Sequence, residues 1–415
     1  GLGDVYKRQG QSHTMDDKFS ERAFSTRAVW SGTNNLEGSA ITPIFTTSTY
    51  RLNDSRYHDW ADGGQHSLIY SRWSSVNSEA VSSKVAALEG AEDGETLASG
   101  MAAISSTLLS LLSKGDHMVT SPDIYGGTYG LLTSEFPRFG IDVTMADIRD
   151  PSSFEAAINE NTKVLYVETI TNPLLKVCDL EAMASIAKEH GLISVVDNTF
   201  ATPWACRPIS MGFDVVIHSG TKFLNGHTDL TAGIVVGRPD LIKRVFETKT
   251  KLGGTADPQM CYLLERGMRT LHARMPIHAS NSSELARRLE GHPAIARVNH
   301  PSLPSYADYE VAKRIVPNGT GMLSFAVRGG DECAMRFVRA LEIIFEATSL
   351  GGIESLVSCP FNTSHIFVPE EVRLEAGILP GFVRMSVGIE DVDDLWSDIE
   401  PVSYTHLRAH ETLRY

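Results

Sequence analysis

The feature that most limits the fold is an alternation of short apolar strands with helix-length segments. A strand pattern at Thr162–Glu168 is followed by a helical pattern at residues 180–190 and by a second strand pattern at residues 192–197. Parallel strands joined by helices produce this alternation, and the helices cover both faces of the sheet. The sequence therefore predicts an α/β fold with a mostly parallel sheet.

The length of the chain predicts more than one domain, because 415 residues exceed an ordinary single core. We expect an N-terminal arm at residues 15–75, a large domain at 76–270 and a smaller C-terminal α/β domain at 271–400. Residues 1–14 and 401–415 lack these patterns, and we expect them to be non-native tails or else disordered extensions.

Composition argues against several classes of function. The net charge of −14 argues against nucleic-acid binding, which needs a basic face. The apolar stretches are shorter than a membrane span and the start does not resemble a secretory signal, so we expect a cytoplasmic protein with a small-molecule substrate. The cysteines show no paired metal-ligand spacing, so we expect no metal site and mostly buried, reduced thiols at Cys178, Cys206, Cys261, Cys333 and Cys359.

One lysine stands among hydroxyls and glycines directly after an apolar strand pattern. Residues 214–218 are typical of a short buried strand, and Ser219 and Thr221 flank Lys222 beyond it. A lysine at such a strand end loses hydration, which lowers its pKa and frees the amine to attack a carbonyl. The hydroxyls suit a phosphate, so the segment indicates pyridoxal phosphate, which carries an aldehyde and a phosphate. A solvated lysine in a glycine-rich turn is the alternative.

Two other segments supply complementary groups. Asp197 ends the strand pattern at residues 192–197, and Lys222 follows 25 residues later, which allows both side chains to reach the same edge of a parallel sheet. A carboxylate there would keep the cofactor's pyridine nitrogen protonated, and a helix N-cap is the alternative role. Gly100 and Met101 begin an apolar helical pattern whose first amides would attract a phosphate.

These residues and several further motifs resemble the Cys/Met-metabolism family of pyridoxal-phosphate enzymes. This trans-sulfuration group includes cystathionine γ-synthase, cystathionine β- and γ-lyases and methionine γ-lyase. The likeness spans about residues 25–395. Its motifs are Tyr70-Ser71-Arg72, Ser99-Gly100-Met101-Ala102, Tyr125-Gly126-Gly127-Thr128, Thr171-Asn172-Pro173, Val196-Asp197-Asn198-Thr199, residues 219–229, residues 349–356 and residues 384–388. The resemblance implies the fold-type-I architecture of pyridoxal-phosphate-dependent transferases, with pyridoxal phosphate as cofactor.

The resemblance also implies catalytic roles. Lys222 would hold the cofactor as a Schiff base and then move protons, while Asp197 would contact the pyridine nitrogen. Tyr125 would stack on the ring and assist by acid–base transfer, with an ordinary turn aromatic as the alternative.

A second implied set binds the phosphate. Within one chain its members are the hydroxyls of Ser219 and Thr221 and the amides of Gly100 and Met101. Tyr70 and Arg72 would reach the phosphate from a neighbouring subunit, since a guanidinium fits phosphate oxygens well. The resemblance thus implies a homotetramer built from dimers that share active sites.

The implied substrate residues are Asn172, Ser349 and Arg384. Arg384 lies in an alternating pattern typical of a half-buried strand and would bind the substrate carboxylate, with a surface arginine as the alternative. Asn172 would contact the ring hydroxyl or the substrate carboxylate, although Thr-Asn-Pro is also an ordinary turn.

Among reactions, we expect cleavage of a C–S bond in a sulfur amino acid, as in an α,γ-elimination by cystathionine γ-lyase. The alternatives are γ-replacement by a cystathionine γ-synthase or O-acylhomoserine sulfhydrylase, and the reactions of cystathionine β-lyase or methionine γ-lyase. A non-catalytic relative is disfavoured by Lys222 with Asp197, and an aminotransferase-like relative by the Gly-His-Thr-Asp sequence at residues 226–229. Gly127 stands where methionine γ-lyases resemble one another in carrying cysteine, and Thr348 stands where many cystathionine enzymes carry glutamate. Both departures point away from a narrow specificity for methionine or cystathionine.

Overall fold

The computed structural model describes residues 19, 21–52, 54–61, 66–363 and 370–411. The tail expected at residues 1–14 lies outside these residues, as do residues 412–415. Residues 401–411 continue the last helix, Val392–Glu411.

The described residues form two sheets with twelve strands between them. The strands are β1 (Asp93–Leu97), β2 (His117–Thr120), β3 (Asp142–Met145), β4 (Thr162–Glu168), β5 (Ile193–Asp197), β6 (Val215–Ser219), β7 (Gly233–Gly237), β8 (Ile295–Asn299), β9 (Met322–Val327), β10 (Phe345–Glu346), β11 (Leu356–Ser358) and β12 (Phe382–Ser386).

The large sheet has seven strands in the order β1-β7-β6-β5-β4-β2-β3. Every pair from β6 to β3 is parallel, and only β7 runs antiparallel to its two neighbours. The small sheet has the order β10-β11-β12-β9-β8 and is antiparallel except for the pair β10–β11. The predicted α/β fold with a mostly parallel large sheet is confirmed.

Helices cover both sheets. The α-helices are α1 (Phe24–Trp30), α2 (Asp54–Ala61), α3 (Val76–Glu89), α4 (Gly100–Leu111), α5 (Gly126–Gly130), α6 (Phe136–Phe139), α7 (Pro151–Ala156), α8 (Leu180–Glu189), α9 (Thr202–Ala205), α10 (Pro239–Leu252), α11 (Pro258–Met268), α12 (Leu271–Glu290), α13 (Tyr309–Ile315), α14 (Asp331–Arg339), α15 (Glu370–Glu375) and α16 (Val392–Glu411). Shorter turns of helix lie at Leu36–Gly38, Leu131–Glu135, Pro208–Met211 and Pro360–Asn362.

The central strands of the large sheet are buried on both faces. Along β6, Val215 and Ile217 pack in one apolar core while Val216 packs in the other. Both faces of a parallel sheet covered by helices must be apolar, which explains why these strands read as continuous apolar runs. Their polar residues are therefore confined to the strand ends.

The small sheet corrects one expectation. The alternation around Arg384 predicted a half-buried strand, but all five residues of β12 are buried. Val383 and Met385 pack in the core beneath the neighbouring helices, while Phe382 on the opposite face packs against Leu174 of the large-sheet region. The second face is covered by another part of the chain, so the polar residues of β12 point into an interface and not into solvent.

The helix α12 connects the two cores. Leu271 and Met275 near its start belong to the large-sheet core, whereas Leu285 and Leu289 near its end belong to the small-sheet core. Between residues 19 and 411, no described helix is long and apolar enough to cross a membrane. All five cysteines are free and buried.

Candidate active site

The carboxyl ends of β4, β5 and β6 meet at one edge of the large sheet. Glu168 lies opposite Asp197, and Asp197 lies opposite Ile217, two residues before the end of β6. A cavity of about 650 Å³ opens at this edge, within the usual range for small-molecule sites. Ten of the twelve predicted site residues line it, namely Gly100, Met101, Tyr125, Asn172, Asp197, Ser219, Thr221, Lys222, Ser349 and Arg384.

Lys222 is half-buried three residues beyond the end of β6. Its Nζ donates a hydrogen bond to Ser349 Oγ at 2.7 Å. Burial and, second, the positive charge of Arg384 lower the pKa of Lys222 from 10.5 to about 8. This environment contradicts the alternative of a fully solvated lysine and leaves a reactive amine near neutral pH.

The loop that contains Ser349 is fixed against the Lys222 turn. Ser349 has a φ of +82°, a conformation that costs energy for a residue with a side chain. At Gly351, a Cβ atom would lie 2.4 Å from the backbone nitrogen of Phe223. The glycine therefore permits the close approach that brings Ser349 to Lys222.

Arg384 is 8% exposed, so the alternative of a surface arginine is wrong. Its Nη1 donates to Asn172 Oδ1 at 3.1 Å and its Nη2 donates to the backbone oxygen of Ser349 at 2.8 Å, while its buried Nε has no partner in the described structure. Burial lowers the pKa of Arg384 to about 10. Two of the five N–H donors are used, and the others can bind a carboxylate in the cavity.

Asp197 is held by Thr199 and does not cap a helix, because the next helix, α9, begins at Thr202 with Ala201 as its N-cap. The Thr199 amide and hydroxyl donate to Asp197 Oδ1 at 3.0 and 2.5 Å. The same hydroxyl accepts from the amide of Ser219 at 2.9 Å, which ties β5 to β6. Burial raises the pKa of Asp197. A carboxylate in such surroundings gains from a cationic partner.

The start of α4 and the end of β6 form an anion cradle. Ser99 Oγ accepts from the amide of Ala102 at 3.1 Å, so the preceding amides of Gly100 and Met101 are the ones without an intrahelical acceptor. A Cβ on Gly100 would lie 3.0 Å from Ser219 Oγ, so this glycine keeps the helix start close to that hydroxyl. The helix dipole adds attraction for a phosphate at this point.

Thr221 lines the cavity, but its hydroxyl is engaged by the backbone of Ala232. Its Oγ1 accepts from the amide of Ala232 at 3.0 Å and donates to the oxygen of Ala232 at 3.4 Å. The long donating contact leaves this hydroxyl proton weakly held.

Tyr70 and Arg72 do not line the cavity of their own chain. Both are exposed, and the Arg72 guanidinium lies 5.6 Å from the centre of the Tyr70 ring. Arg72 Nη1 also donates to the backbone oxygen of Thr250. The structure therefore separates these two residues from the other ten.

The sequence analysis missed Glu168. This residue is 5% exposed, lines the cavity, and accepts from the backbone amide of Tyr125 at 2.6 Å. Burial and the nearby charge of Asp197 raise the pKa of Glu168 well above its ordinary value. The signal was available, because Glu168 ends β4 as Asp197 ends the neighbouring β5.

The residues present fit pyridoxal phosphate. A cradle for a phosphate, a carboxylate for a pyridinium nitrogen and an amine for an aldehyde all face one cavity. The partly unpaired guanidinium of Arg384 lies beside the amine and suits the carboxylate of an amino acid.

Comparison with known proteins extends the likeness over almost the whole chain. Residues 25–402 match the Cys/Met metabolism PLP-dependent enzyme family. An L-methionine γ-lyase of Porphyromonas gingivalis is 40% identical over 383 residues, which are 91% of this chain and 96% of that protein. A cystathionine γ-lyase of Bacillus subtilis is 40% identical over 364 residues, 87% of this chain and 93% of its own. The crystal structure of cystathionine γ-lyase from Lactobacillus plantarum complexed with L-serine superposes with a TM-score of 0.87 at 36% identity, covering 93% of this chain and 99% of that chain.

Proposed function

The chain belongs to the Cys/Met metabolism family of pyridoxal-phosphate-dependent enzymes, and from this membership we propose that it cleaves C–S bonds of sulfur amino acids by α,γ-elimination. The observation that carries the proposal is the contact between Lys222 and Ser349 beside the Arg384 guanidinium. It joins a reactive amine to a carboxylate-binding group in one cavity. The relatives named above are lyases, which supports elimination over replacement.

Pyridoxal phosphate, when bound, supplies an electron sink for the carbanion that forms next to the substrate carboxylate. In our proposal Lys222 is its covalent attachment point and Asp197 contacts its ring nitrogen. Ser219 and the first amides of α4 bind its phosphate. The support for these roles is the placement of all three groups around one cavity.

Arg384 binds the substrate carboxylate in this proposal. Asn172 and the Ser349 carbonyl hold the guanidinium through Nη1 and Nη2, which leaves its remaining N–H donors for a ligand. Each charge-assisted hydrogen bond to such a carboxylate contributes roughly 1.5–3 kcal/mol. The carboxylate would therefore set the orientation of the substrate beside the Lys222 amine.

Proton transfer falls to Lys222 and Tyr125. A pKa of about 8 lets the Lys222 amine both accept and release protons near neutral pH, and Ser349 Oγ holds the amine in place. Tyr125 lines the same cavity with a side chain that is 44% exposed, and Glu168 fixes its backbone. In our proposal its phenol assists the departure of the leaving group by acid–base transfer.

The distal part of the cavity favours a broad substrate range. Thr348 and Gly127 both line it and carry no charge. The second ammonium group of cystathionine therefore has no carboxylate partner at position 348. We propose that cystathionine and homocysteine-like substrates are preferred over methionine, with none of them bound tightly through its distal end.

We also propose a homotetramer built from dimers that share active sites, with Tyr70 and Arg72 reaching the phosphate of a partner. Of the sixteen exposed large hydrophobic residues in the described part of the chain, seven lie between residues 30 and 70. Such a concentration of exposed apolar side chains is typical of an interaction surface. We further propose a cytoplasmic location, which five free and buried thiols support.

A substrate panel tests the reaction. The purified enzyme with cofactor would receive cystathionine, cysteine, homocysteine, methionine, or an acyl-homoserine with cysteine, and 2-oxobutanoate, pyruvate and new cystathionine would be quantified. We expect 2-oxobutanoate from cystathionine and from homocysteine. Dominant formation of cystathionine from the acyl-homoserine mixture would establish γ-replacement instead, and pyruvate as the main product from cystathionine would establish β-elimination.

A further inference from the structure

A buried group of charges lies next to the segment that carries Tyr70 and Arg72. We call residues 66–74 the arm segment. Its first end is tied to the large-sheet region by ion pairs of His66, and its second end by a hydrogen bond from Lys249 to the backbone oxygen of Trp73. The charged members of this group, the anchor cluster, are His66, Glu79, Asp93, Glu95 and Lys249.

His66 fastens the first end of the arm segment. Its Nδ1 lies 2.6 Å from Glu79 on α3, and its Nε2 lies 3.0 Å from Asp93 on β1. Glu79 also accepts a hydrogen bond from the hydroxyl of Ser74, at the other end of the segment. One imidazole therefore bridges a helix and a strand while its own backbone belongs to the arm.

Lys249 fastens the second end. Its Nζ on α10 donates to the backbone oxygen of Trp73 at 2.7 Å and pairs with Glu95 on β1 at 2.6 Å. The backbone oxygen of Arg72 accepts from Thr255 Oγ1 at 3.1 Å. Tyr70 and Arg72 themselves remain exposed between these two attachments.

The charge balance makes the imidazole difficult to replace. Burial opposes a charge on His66, but the Glu79 and Asp93 carboxylates outweigh it and raise the pKa of His66 to about 11. The anchor cluster then holds two cations against three carboxylates, and Asp93, Glu95 and Lys249 are almost fully buried. Loss of the His66 cation would leave Glu79 and Asp93 with their hydrogen bonds from Ser74 and the Gly94 amide but without the imidazolium, which is strongly unfavourable for buried charges.

None of the anchor-cluster residues lines the cavity of its own chain. The cluster therefore does not act on that cavity directly. What it immobilises is the exposed pair of Arg72 and Tyr70. One guanidinium N–H of Arg72 donates to the Thr250 carbonyl, and four further N–H donors belong to the same group.

We propose that His66 is a positioning residue for the phosphate site of a second copy of this chain. Held between Glu79 and Asp93, it keeps the arm segment in the conformation in which Arg72 and Tyr70 meet the partner's cofactor phosphate. Preorganised groups bind without the entropic cost of ordering a loop, so the anchor increases phosphate affinity across the interface. This inference rests on the proposed sharing of active sites.

Hybrid assemblies test the inference. A chain with intact Lys222 is co-expressed with an excess of a Lys222→Ala chain, and each chain carries its own affinity tag. Each competent site then combines Lys222 of the intact chain with the arm segment of the Lys222→Ala chain. His66→Gln is placed on the Lys222→Ala chain (in trans) or on the intact chain (in cis). The measurement is the rate of cofactor release from the doubly tagged assembly, followed by the cofactor's visible absorbance, and it does not depend on turnover.

We expect His66→Gln in trans to accelerate cofactor release by about tenfold, as for one lost charge-assisted hydrogen bond, and in cis to leave it unchanged. His66→Lys, which restores a cation between the two carboxylates, should recover most of the loss. Arg72→Ala in the same two positions is the reference. His190→Gln, at an exposed histidine paired with Glu155, is the matched control and should have no effect in either position.

The outcomes separate the two ideas. If Arg72→Ala acts in cis, the shared site is wrong and the inference falls with it. If Arg72→Ala acts in trans while His66→Gln acts in neither position, sites are shared but His66 does not position them. Equal effects of His66→Gln in cis and in trans would indicate general destabilisation and also overturn the inference. If the His66→Gln protein fails to fold, Asp93→Asn replaces it in the same comparison, because His66 then keeps its contact with Glu79.

Discussion

Replacement of Arg384 by methionine should change the pH at which the free enzyme captures its cofactor. The pKa of Lys222 falls from 10.5 to about 8, a difference of about 2.5, and burial is a larger cause than the charge of Arg384. Arg384 therefore accounts for less than half of this lowering. Without the guanidinium charge, the pKa of Lys222 should rise by up to about 1.2, because a nearby positive charge disfavours the ammonium form.

The consequence for reactivity follows from the fraction of neutral amine. At pH 7 roughly one Lys222 in ten is neutral when its pKa is about 8, and this fraction falls up to roughly tenfold further when the pKa is near 9. Cofactor capture by the Arg384→Met apoenzyme should therefore be up to roughly tenfold slower at pH 7, yet unchanged above pH 10, where both amines are neutral. Arg384→Lys keeps the positive charge, so the pH at which its rate of cofactor capture is half-maximal should equal that of the wild-type enzyme.

The assay is the rate of appearance of bound cofactor in the visible spectrum after apoenzyme is mixed with pyridoxal phosphate at a series of pH values. A surface substitution such as Arg287→Met, far from the cavity, controls for effects of net charge. If the midpoint of Arg384→Met coincides with that of the wild-type enzyme, Arg384 does not act on Lys222. A lower midpoint would contradict the sign of the argument.

Three further outcomes are expected. Lys222→Ala should lose cofactor that borohydride can trap, and turnover should fall by at least about 10²–10⁴-fold, whereas Lys188→Ala at an exposed helix position should keep both. Gly100→Ala places a Cβ 2.9 Å from the Cβ of Ser219, so the affinity for pyridoxal phosphate, measured by titration of the apoenzyme, should weaken by about 1–3 kcal/mol. Glu168 has a raised pKa in the folded state, so its contribution to stability is complete below about pH 4.5 and is lost as pH rises through the folded-state pKa. Glu168→Gln has no carboxyl group to lose this stability. Within that pH window, its free energy of unfolding, measured by denaturant titration, should rise relative to that of the wild-type protein by up to about 1.4 kcal/mol per pH unit. A difference that does not vary with pH would show that the carboxyl titrates normally.

Much of the site was predictable because its residues follow buried strands. The apolar runs before Asp197 and Lys222 identify β5 and β6, and parallel pairing then places both side chains at one sheet edge. Glu168 satisfies the same rule at the end of β4, where Thr169 follows it directly, but neither a lysine nor a glycine stands beside it. A search for charged residues at or just beyond the carboxyl ends of the predicted strands would have found Asp197, Lys222 and Glu168.

Contacts between distant segments were not predictable from local pattern. The alternation around Arg384 correctly placed it on a strand, but it could not show that Leu174 and its neighbours cover the second face of that strand. The bond between Lys222 and Ser349 joins residues 127 positions apart and depends on a loop conformation with positive φ at Ser349. Local periodicity contains no information about such long-range packing.

The helix shared by the two cores has a thermodynamic consequence. The beginning of α12 is buried with the large sheet and its end with the small sheet. Neither core can therefore lose its structure without exposing apolar surface on a helix that the other core needs. Lys222 follows a strand of the large sheet and Arg384 lies in the small sheet, so loss of either core would separate the amine from the carboxylate-binding group.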